Sequence, residues 1–255
     1  MQGFKLTTEL FFGSQAINHL EGLTYRNVLI ITDGFLESSG MVAKMAQHLP
    51  AGARYQTYSD VKPDPSQELV DAGVAVVERV QPDMVIAFGG GSCIDATKAI
   101  LYFAHEHGMD KPYFLAIPTT AGTGSEVTNF AVITRGENKV VLIDDFLAPD
   151  GALLEADFTK TVPAKITADT GLDVLTHAIE AYVSTANCDF TDPLALHAIE
   201  MIQNDLVGSY NGDMAKRDAM HNAQCLAGMA FSNALLGIVH SMAHKTGAAF
   251  ADYGA

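Results

Sequence analysis

The sequence predicts an α/β fold, in which a parallel sheet with crossover helices is followed by an all-α region. Two observations lead to this prediction. Short β-branched runs alternate with helical patterns as far as about Pro163, and the strand signals stop there. Strands that alternate with helices are typical of a parallel sheet. We therefore expect an α/β domain over residues 1–162 and a helical domain over residues 163–255. With no linker of low complexity between them, the two should pack tightly.

The elements can be assigned in chain order from these patterns. Strands are predicted at "RNVLIITD" (26–33), "ARYQTYSD" (53–60), "PDMVIAFGGG" (82–91), "KPYFLAIPTT" (111–120) and "KVVLID" (139–144). Helices are predicted at "SGMVAKMAQHL" (39–49), "SQELVDAGVAVVERV" (66–80) and "SCIDATKAILYFAHEHG" (92–108). The helical region contains "AKITADTGLDVLTHAIEAYVS", "DPLALHAIEMIQNDL" and "AKRDAMHNAQCLAGMAF".

Composition excludes several classes of protein. Fifteen basic against thirty acidic residues give a net charge of −15, which argues against a nucleic acid held by charge. Three widely spaced cysteines form no C-x-x-C pair, and "MQGFKLTTELFFG" has no signal-peptide pattern, so a reduced, cytoplasmic protein is expected. No apolar run approaches the roughly 18 residues that span a bilayer, so we expect no membrane segment.

The glycine-rich stretch "AFGGGSCIDATK" (87–98) joins a buried strand to a helix. Glycines let the backbone approach a phosphate, and a helix start offers free N–H groups with a positive dipole. The alternative is a plain strand–helix turn in which Ser92 is the N-cap and Asp95 closes a capping box. We favour phosphate binding for the glycines. For Asp95 we favour the capping box, because a carboxylate would repel a pyrophosphate.

Two further loops carry polar groups at strand ends. Asp33 ends "VLIITD", where an acid can bind an adenosine ribose and repel a 2′-phosphate, which selects NAD over NADP. Asp-Gly is equally common as a turn pair, so Asp33 alone leaves both interpretations open. The stretch "PTTAGTGSEVT" (118–128) offers hydroxyls suited to phosphate or amide groups, although such loops also serve as connectors.

Two pairs of candidate metal ligands occur in the helical region. Asp173 and His177 stand four residues apart in one helical pattern, as do His240 and His244 in another. Residues at this spacing share one helix face, and carboxylate with imidazole suits iron(II) or zinc. A lone pair of this kind is more often a hydrogen-bonded contact. Two such pairs in an apolar helical region favour a metal site.

Five sequence blocks together resemble the iron-containing (group III) alcohol dehydrogenase family. They are "VKPDPS", "GGGSCIDATK", "IPTTAGTGSEVT", "GLDVLTHAIEAYVS" and "FSNALLGIVHSMAH", in this order over essentially the whole chain. The stretch "TADTGLDVLTHAIEAYVSTANCDFTDPLA" is most similar to the propanol and butanol dehydrogenase branch. The resemblance implies hydride transfer between a short-chain primary alcohol or aldehyde and NAD(P), with a dehydroquinate-synthase-like fold.

The resemblance also implies roles for particular residues. Asp173, His177 and His240 would be ligands of Fe²⁺, with Zn²⁺ as the alternative metal, and His244 would be a proton relay or substrate contact. NAD is expected rather than NADP. Its pyrophosphate would lie on the helix start and its ribose against the end of the first predicted strand. The implied cofactor-binding residues are Asp33, Asp64, Gly90, Gly91, Ser92, Thr119, Thr120 and Lys139.

The family pattern implies a fourth histidine ligand beyond the "GAAF" run, and no histidine follows His244 in this sequence. From this we expect an incomplete helical domain, weak metal binding and little turnover. A non-catalytic remnant that only binds nucleotide is the main alternative. A dehydroquinate-synthase-like lyase is disfavoured, because the helical half has few basic residues for a phosphorylated acidic substrate.

The stretch "FKLTTELFFG" (4–13) alternates like an exposed edge strand. Unpaired strand edges favour pairing with another copy of the chain. We therefore expect a homo-oligomer, most simply a dimer, with exposed helical surface adding to the interface.

Overall fold

The computed structural model describes residues 3–136 and 138–250. Its centre is a six-stranded sheet with the order β1-β8-β5-β4-β2-β3, in which every pairing is parallel. The parallel sheet expected from the alternating pattern is therefore present. Its strands are β1 (Glu9–Phe12), β2 (Asn27–Asp33), β3 (Arg54–Val61), β4 (Met84–Gly89), β5 (Tyr113–Pro118) and β8 (Gly151–Leu154).

Helices cover both faces of this sheet. Alternate side chains of β2 point to opposite faces: Leu29 and Ile31 join one apolar cluster, and Val28 and Ile30 join the other. The first cluster packs under α3 (Gln67–Val80) and α4 (Gly91–Glu106), and the second under α1 (Gly34–Ser38) and α2 (Met41–Ala46). Burial on both faces explains why the central strands are almost continuously apolar.

The helix predicted at 39–49 is shorter than expected, because α2 covers only Met41–Ala46. Gly40 precedes it with φ of +80°, a left-handed conformation that separates α2 from α1. The apolar pattern could not reveal that the helix is interrupted at this glycine.

The strand predicted at 139–144 exists, but it does not join the parallel sheet. It is β7 (Asn138–Ile143) and pairs antiparallel with β6 (Phe130–Arg135), a strand that the sequence pattern did not predict. Three of its six residues are exposed and three are half-buried, as in a ribbon with one solvated face. The parallel sheet takes β8 instead, whose four residues are too few for a periodic signal.

The helical region contains the three predicted helices and a fourth. They are α5 (Ala164–Val183), α6 (Thr191–Tyr210), α7 (Met214–Ala234) and α8 (Ile238–Ala249). Alanines fill much of the space between α5, α6 and α7, so the helices pack closely. The last strand ends at Leu154 and α5 begins at Ala164, on either side of the proposed domain limit at 162/163. That limit stays a prediction.

Among the described residues, no single helix has the length and hydropathy of a membrane span. Helix α7 and the segment Ile238–Gly247, bent by 100° against each other, pass such a test only as a pair, on length and composition alone.

Candidate active site

A cleft of about 1010 Å³ opens at the carboxyl ends of the parallel strands. Small ligands of open α/β sheets bind at this edge. All eight residues that the family resemblance assigned to the cofactor line this cleft: Asp33, Asp64, Gly90, Gly91, Ser92, Thr119, Thr120 and Lys139. The cleft is also lined by His244 and by apolar side chains that were not predicted, such as Phe35, Val132 and Phe158.

The start of α4 supplies the anion-binding part of the cleft. Gly90 is the N-cap residue in an extended conformation, so the first N–H groups of α4 have no partner within the helix. A Cβ added at Gly91 would lie 2.5 Å from the side-chain Cγ2 of Thr123. Glycine at this position therefore lets the helix start approach the 118–128 loop. The residues present fit a phosphate group.

The capping box expected at this helix start is wrong. Ser92 lies inside α4 and is not its N-cap. The Asp95 carboxylate instead accepts hydrogen bonds from Ser125 Oγ at 2.5 Å and from the backbone N–H of Val132 at 3.0 Å. An extended glycine already begins the helix, which leaves Asp95 free to hold the neighbouring loop.

Both interpretations of Asp33 are compatible with its position. Its Oδ1 accepts a hydrogen bond from the Leu36 N–H at 2.9 Å and so caps α1. Its Oδ2 lies 3.8 Å from the Sγ of Cys93, at the wall of the cleft. The carboxylate is therefore a cap that also presents negative charge to the cleft.

An ion pair closes the opposite side of the cleft. Lys139 Nζ lies 2.8 Å from Asp64 Oδ1. Asp64 has φ of +53°, a left-handed conformation that aspartate tolerates better than most residues. The pair joins the loop after β3 to β7, so both residues reach the same ligand space.

Three of the predicted metal ligands form a compact cluster. Asp173 and His177 lie on one face of α5, and His240 lies in the first turn of α8. Their candidate ligand atoms all lie within 4.8 Å of one another. Asp173 Oδ1 is 3.9 Å from His177 Nε2 and 3.5 Å from His240 Nε2.

The cluster fits a divalent cation. The Nε2 atom of His240 is buried and has no hydrogen-bond partner in the described part of the chain. A buried nitrogen without a partner is costly unless another group, such as a metal ion, completes it. One carboxylate and two imidazoles are a donor set suited to iron(II) or zinc.

The two histidines of the cluster have opposite pKa shifts. Burial lowers the pKa of His177 to about 4, against the raising effect of Asp173. Burial also acts to lower the pKa of His240, but its close contacts with the carboxylates of Asp173 and Glu180 outweigh it, so its pKa is raised. His177 is therefore neutral at pH 7, and coordination by His240 needs its Nε2 to be free of a proton.

Glu180 is a residue of this cluster that the sequence analysis missed. Its Oε2 accepts a hydrogen bond from His240 Nδ1 at 2.6 Å. Burial acts to raise the pKa of Glu180, but hydrogen bonds from Gly237, His240 and Val239 outweigh it, so its pKa is lowered and the side chain is a carboxylate. The available signal was its spacing, three residues after His177 and seven after Asp173, on the same helix face.

His244 connects the cluster to the cleft. Its ring centroid is 6.3 Å from that of His240, and its side chain lines the cleft. Burial, followed by the charges of Lys139 and His240, lowers the pKa of His244. It is therefore neutral near pH 7 and able to accept a proton at a ring nitrogen.

Family models match both parts of the chain. Residues 7–156 match the model described as iron-containing alcohol dehydrogenase, and residues 167–251 match the C-terminal model of the Fe-containing alcohol dehydrogenase family. The chain is 46% identical over 270 residues to an NADPH-dependent butanol dehydrogenase of Clostridium saccharobutylicum, covering 98% of this chain and 69% of that protein. It is also 46% identical over 254 residues to the 1-propanol dehydrogenase PduQ of Citrobacter freundii, with the same coverage.

Solved structures agree with these matches. The crystal structure of a 1,3-propanediol oxidoreductase superposes with a TM-score of 0.92 at 35% identity, over 98% of this chain and 71% of that one. The fold and the two adjoining sites are those of a nucleotide- and metal-dependent oxidoreductase. The chain belongs to the iron-containing alcohol dehydrogenase family, in its propanol and butanol dehydrogenase branch.

Proposed function

We propose that the protein interconverts short-chain primary alcohols and aldehydes, with NAD as the hydride carrier in the cleft and a divalent metal ion at Asp173, His177 and His240. The observation that supports this most directly is the position of His244. It lines the cleft, and its ring lies 6.3 Å from that of His240. A substrate between the two sites would thus meet cofactor, metal and a neutral imidazole together.

The chain's own residues have separable tasks in this proposal. The N-terminus of α4 holds the pyrophosphate through its free N–H groups, and Thr119 and Thr120 offer hydroxyls to the rest of the cofactor. His244 takes the alcohol proton at a ring nitrogen and passes it to solvent. A bound divalent cation, Fe²⁺ or alternatively Zn²⁺, would supply a Lewis acid that lowers the pKa of the alcohol, and the nicotinamide would accept the hydride.

The proposed preference for NAD rests on Asp33. A carboxylate at the end of β2 can bind ribose hydroxyls and repels a 2′-phosphate. The Clostridium relative is named as NADPH-dependent, so the preference can differ among related chains.

The proposal is tested by loading the protein with Fe²⁺ or Zn²⁺ and measuring NADH formation from 1-propanol. We expect slow turnover that a chelator abolishes. We expect His177→Ala to lose both bound metal and turnover, because it removes one of three ligands. The matched control is His197→Ala, which removes an exposed histidine of α6 and should change neither. Metal-independent turnover would contradict the proposal, and so would binding of NAD without any turnover in the loaded protein.

We also propose a cytoplasmic location and a homodimer. The three cysteines are all free, as in proteins of a reducing compartment. The homodimer is proposed from the free edge of β1, which pairs only with β8 among the described residues.

A further inference from the structure

Glu180 makes an unusual set of contacts at the start of α8. Its side chain is only 7% exposed. Its Oε2 accepts hydrogen bonds from the Gly237 N–H at 2.9 Å and from His240 Nδ1 at 2.6 Å. Its Oε1 accepts one from the Val239 N–H at 2.7 Å. One carboxylate of α5 thus binds two backbone groups of α8 and the ring of a candidate metal ligand.

The first consequence of these contacts is a helix cap from outside the helix. Gly237 is the N-cap residue of α8 and has no side chain to satisfy the first N–H groups. A Cβ added at Gly237 would lie 2.9 Å from Glu180 Oε1, so only glycine leaves room for the carboxylate. Glu180 therefore fixes where α8 begins and where its third residue, His240, is placed.

The second consequence concerns the imidazole itself. A neutral histidine carries one ring proton, and its other nitrogen keeps the lone pair. Because Nδ1 faces the Glu180 carboxylate, the proton is held there and the lone pair remains on Nε2. That nitrogen is 3.5 Å from Asp173 Oδ1 and has no hydrogen-bond partner among the described residues.

The other histidine of the cluster is held differently. The ring of His177 stacks between Phe231 at 4.6 Å and His240 at 4.4 Å, measured between centroids. Its Nδ1 is buried without a hydrogen-bond partner in the part of the chain that the structure describes. Of the two imidazoles, only that of His240 is oriented by a carboxylate.

We infer that Glu180 is a positioning residue, which holds His240 in the tautomer protonated at Nδ1 and so makes Nε2 its ligand atom. This inference rests on the proposed metal site. Metal-bound histidines commonly donate their second N–H to a carboxylate, and loss of that partner typically lowers metal affinity about 10–100-fold. Glu180 then contributes to metal binding without touching the metal.

The first test uses the unaltered protein, labelled with ¹⁵N-histidine and loaded with Zn²⁺. Long-range ¹H–¹⁵N spectra distinguish a zinc-bound ring nitrogen from a protonated one, and the His240 signals are assigned by their loss in His240→Asn. We expect zinc at Nε2 and the proton at Nδ1. The reverse arrangement, with zinc at Nδ1, would overturn the inference. If no imidazole signal responded to zinc, the proposed metal site itself would be wrong.

The second test compares Glu180→Gln with Glu200→Gln by calorimetric zinc titration. Glutamine keeps the shape of Glu180, but its one amide oxygen cannot accept all three hydrogen bonds. We expect the Kd for zinc to rise about 10–100-fold. Glu200 lies 3.6 Å from His197 Nδ1 on the exposed side of α6, so its variant removes a carboxylate–imidazole pair that should not matter to zinc.

The ¹⁵N spectra separate positioning from simple helix capping. If Glu180 acts on the ring, zinc-loaded Glu180→Gln will show altered His240 nitrogen shifts together with its weaker affinity. Unchanged shifts, or a zinc affinity within twofold of the parent, would overturn the inference. Should Glu180→Gln fail to fold, the spectrum of the unaltered protein still decides between the two tautomers.

Discussion

Asp33 combines two tasks in one side chain, and the two can be separated. One oxygen caps α1 through the Leu36 N–H, and the other lies 3.8 Å from Cys93 Sγ at the wall of the cleft. Serine also caps helices well but carries no charge. We expect Asp33→Ser to keep the fold and to narrow the NAD-over-NADP preference at least tenfold, because the repulsion of a 2′-phosphate disappears.

Titration calorimetry with both nucleotides measures this change in Kd. The control is Asp60→Ser, which removes an exposed acid of β3 that does not line the cleft. Equal affinity of the unaltered protein for NAD and NADP would show that Asp33 serves only as a helix cap.

His221 should make the stability of the protein depend on pH. It is fully buried in α7, with both ring nitrogens unpartnered among the described residues. Burial lowers its pKa from 6.5 to about 4, so between these values the unfolded chain binds a proton that the folded chain does not. The stability contributed by neutral His221 is therefore complete above pH 6.5 and is lost as the pH falls toward 4.

The free energy of unfolding of the metal-free protein should fall between pH 6.5 and pH 4, and we expect His221→Leu to reduce this fall by on the order of 3 kcal/mol. Urea unfolding at a series of pH values measures it, with the buried apolar exchange Met220→Leu as the control. The deciding quantity is the slope of the free energy of unfolding against pH, since both variants can change its absolute value. An unaltered slope in His221→Leu would disprove the assignment.

At the scale of elements, α4 is tied to the 118–128 loop by a buried lysine. Lys98 Nζ donates to Ser125 Oγ at 3.0 Å, to the Thr128 carbonyl at 2.8 Å and to the Phe130 carbonyl at 2.7 Å. Burial lowers the pKa of Lys98 to about 8, against the raising effect of Asp95. The lysine thus remains charged at neutral pH and holds a loop that lines the cleft.

We expect Lys98→Met to lower the free energy of unfolding by about 3–5 kcal/mol, because the nearby buried acids Asp95 and Glu126 lose a compensating positive charge and the loop loses its hydrogen-bond donor. Chemical denaturation measures the loss. Lys160→Met is the matched control, since Lys160 pairs with Asp157 on the surface and such pairs contribute about 1 kcal/mol or less. A similar small effect at both positions would mean that the loop is held by other contacts.

The elements that could be predicted from sequence are those with a long periodic pattern. Helices α3 and α4 and the central strands follow directly from apolar spacing. Strand β8 has only four residues, and β7 has a strand pattern whose partner is fixed by the tertiary fold. The capping box at Ser92 failed because an extended glycine had already begun α4.

For the whole molecule, the site depends on contacts that sequence spacing does not contain. Asp173 and His177 could be paired from their four-residue spacing, but their approach to His240 depends on how α8 follows α7. Glu180 binds a ring 60 residues further along the chain, and no local pattern indicates that distance. Asp33, Gly90 and Thr119 lie at the carboxyl ends of parallel strands, where a ligand site is expected, whereas Asp64 and Lys139 were implied only by the family resemblance.

Strand β1 gives the sheet a free edge at which two copies of the chain can pair. It lies at one end of the strand order and pairs only with β8, so its other edge is free for hydrogen bonding among the described residues. Phe12 at its end is 66% exposed. An unpaired edge with an exposed aromatic side chain favours contact with a second copy. We expect a dimer by light scattering at micromolar concentration.

The variant that tests this dimer is Phe12→Lys, because charged side chains on edge strands oppose edge-to-edge pairing. We expect it to shift the scattering mass toward that of the monomer while leaving NAD affinity unchanged. Phe35→Lys is its matched control, since Phe35 is similarly exposed at 61% but faces the cofactor cleft, so it should alter NAD affinity and leave the mass unchanged. A monomeric unaltered protein would refute the dimer. A dimer that persists in Phe12→Lys would show that the interface does not lie at the end of β1.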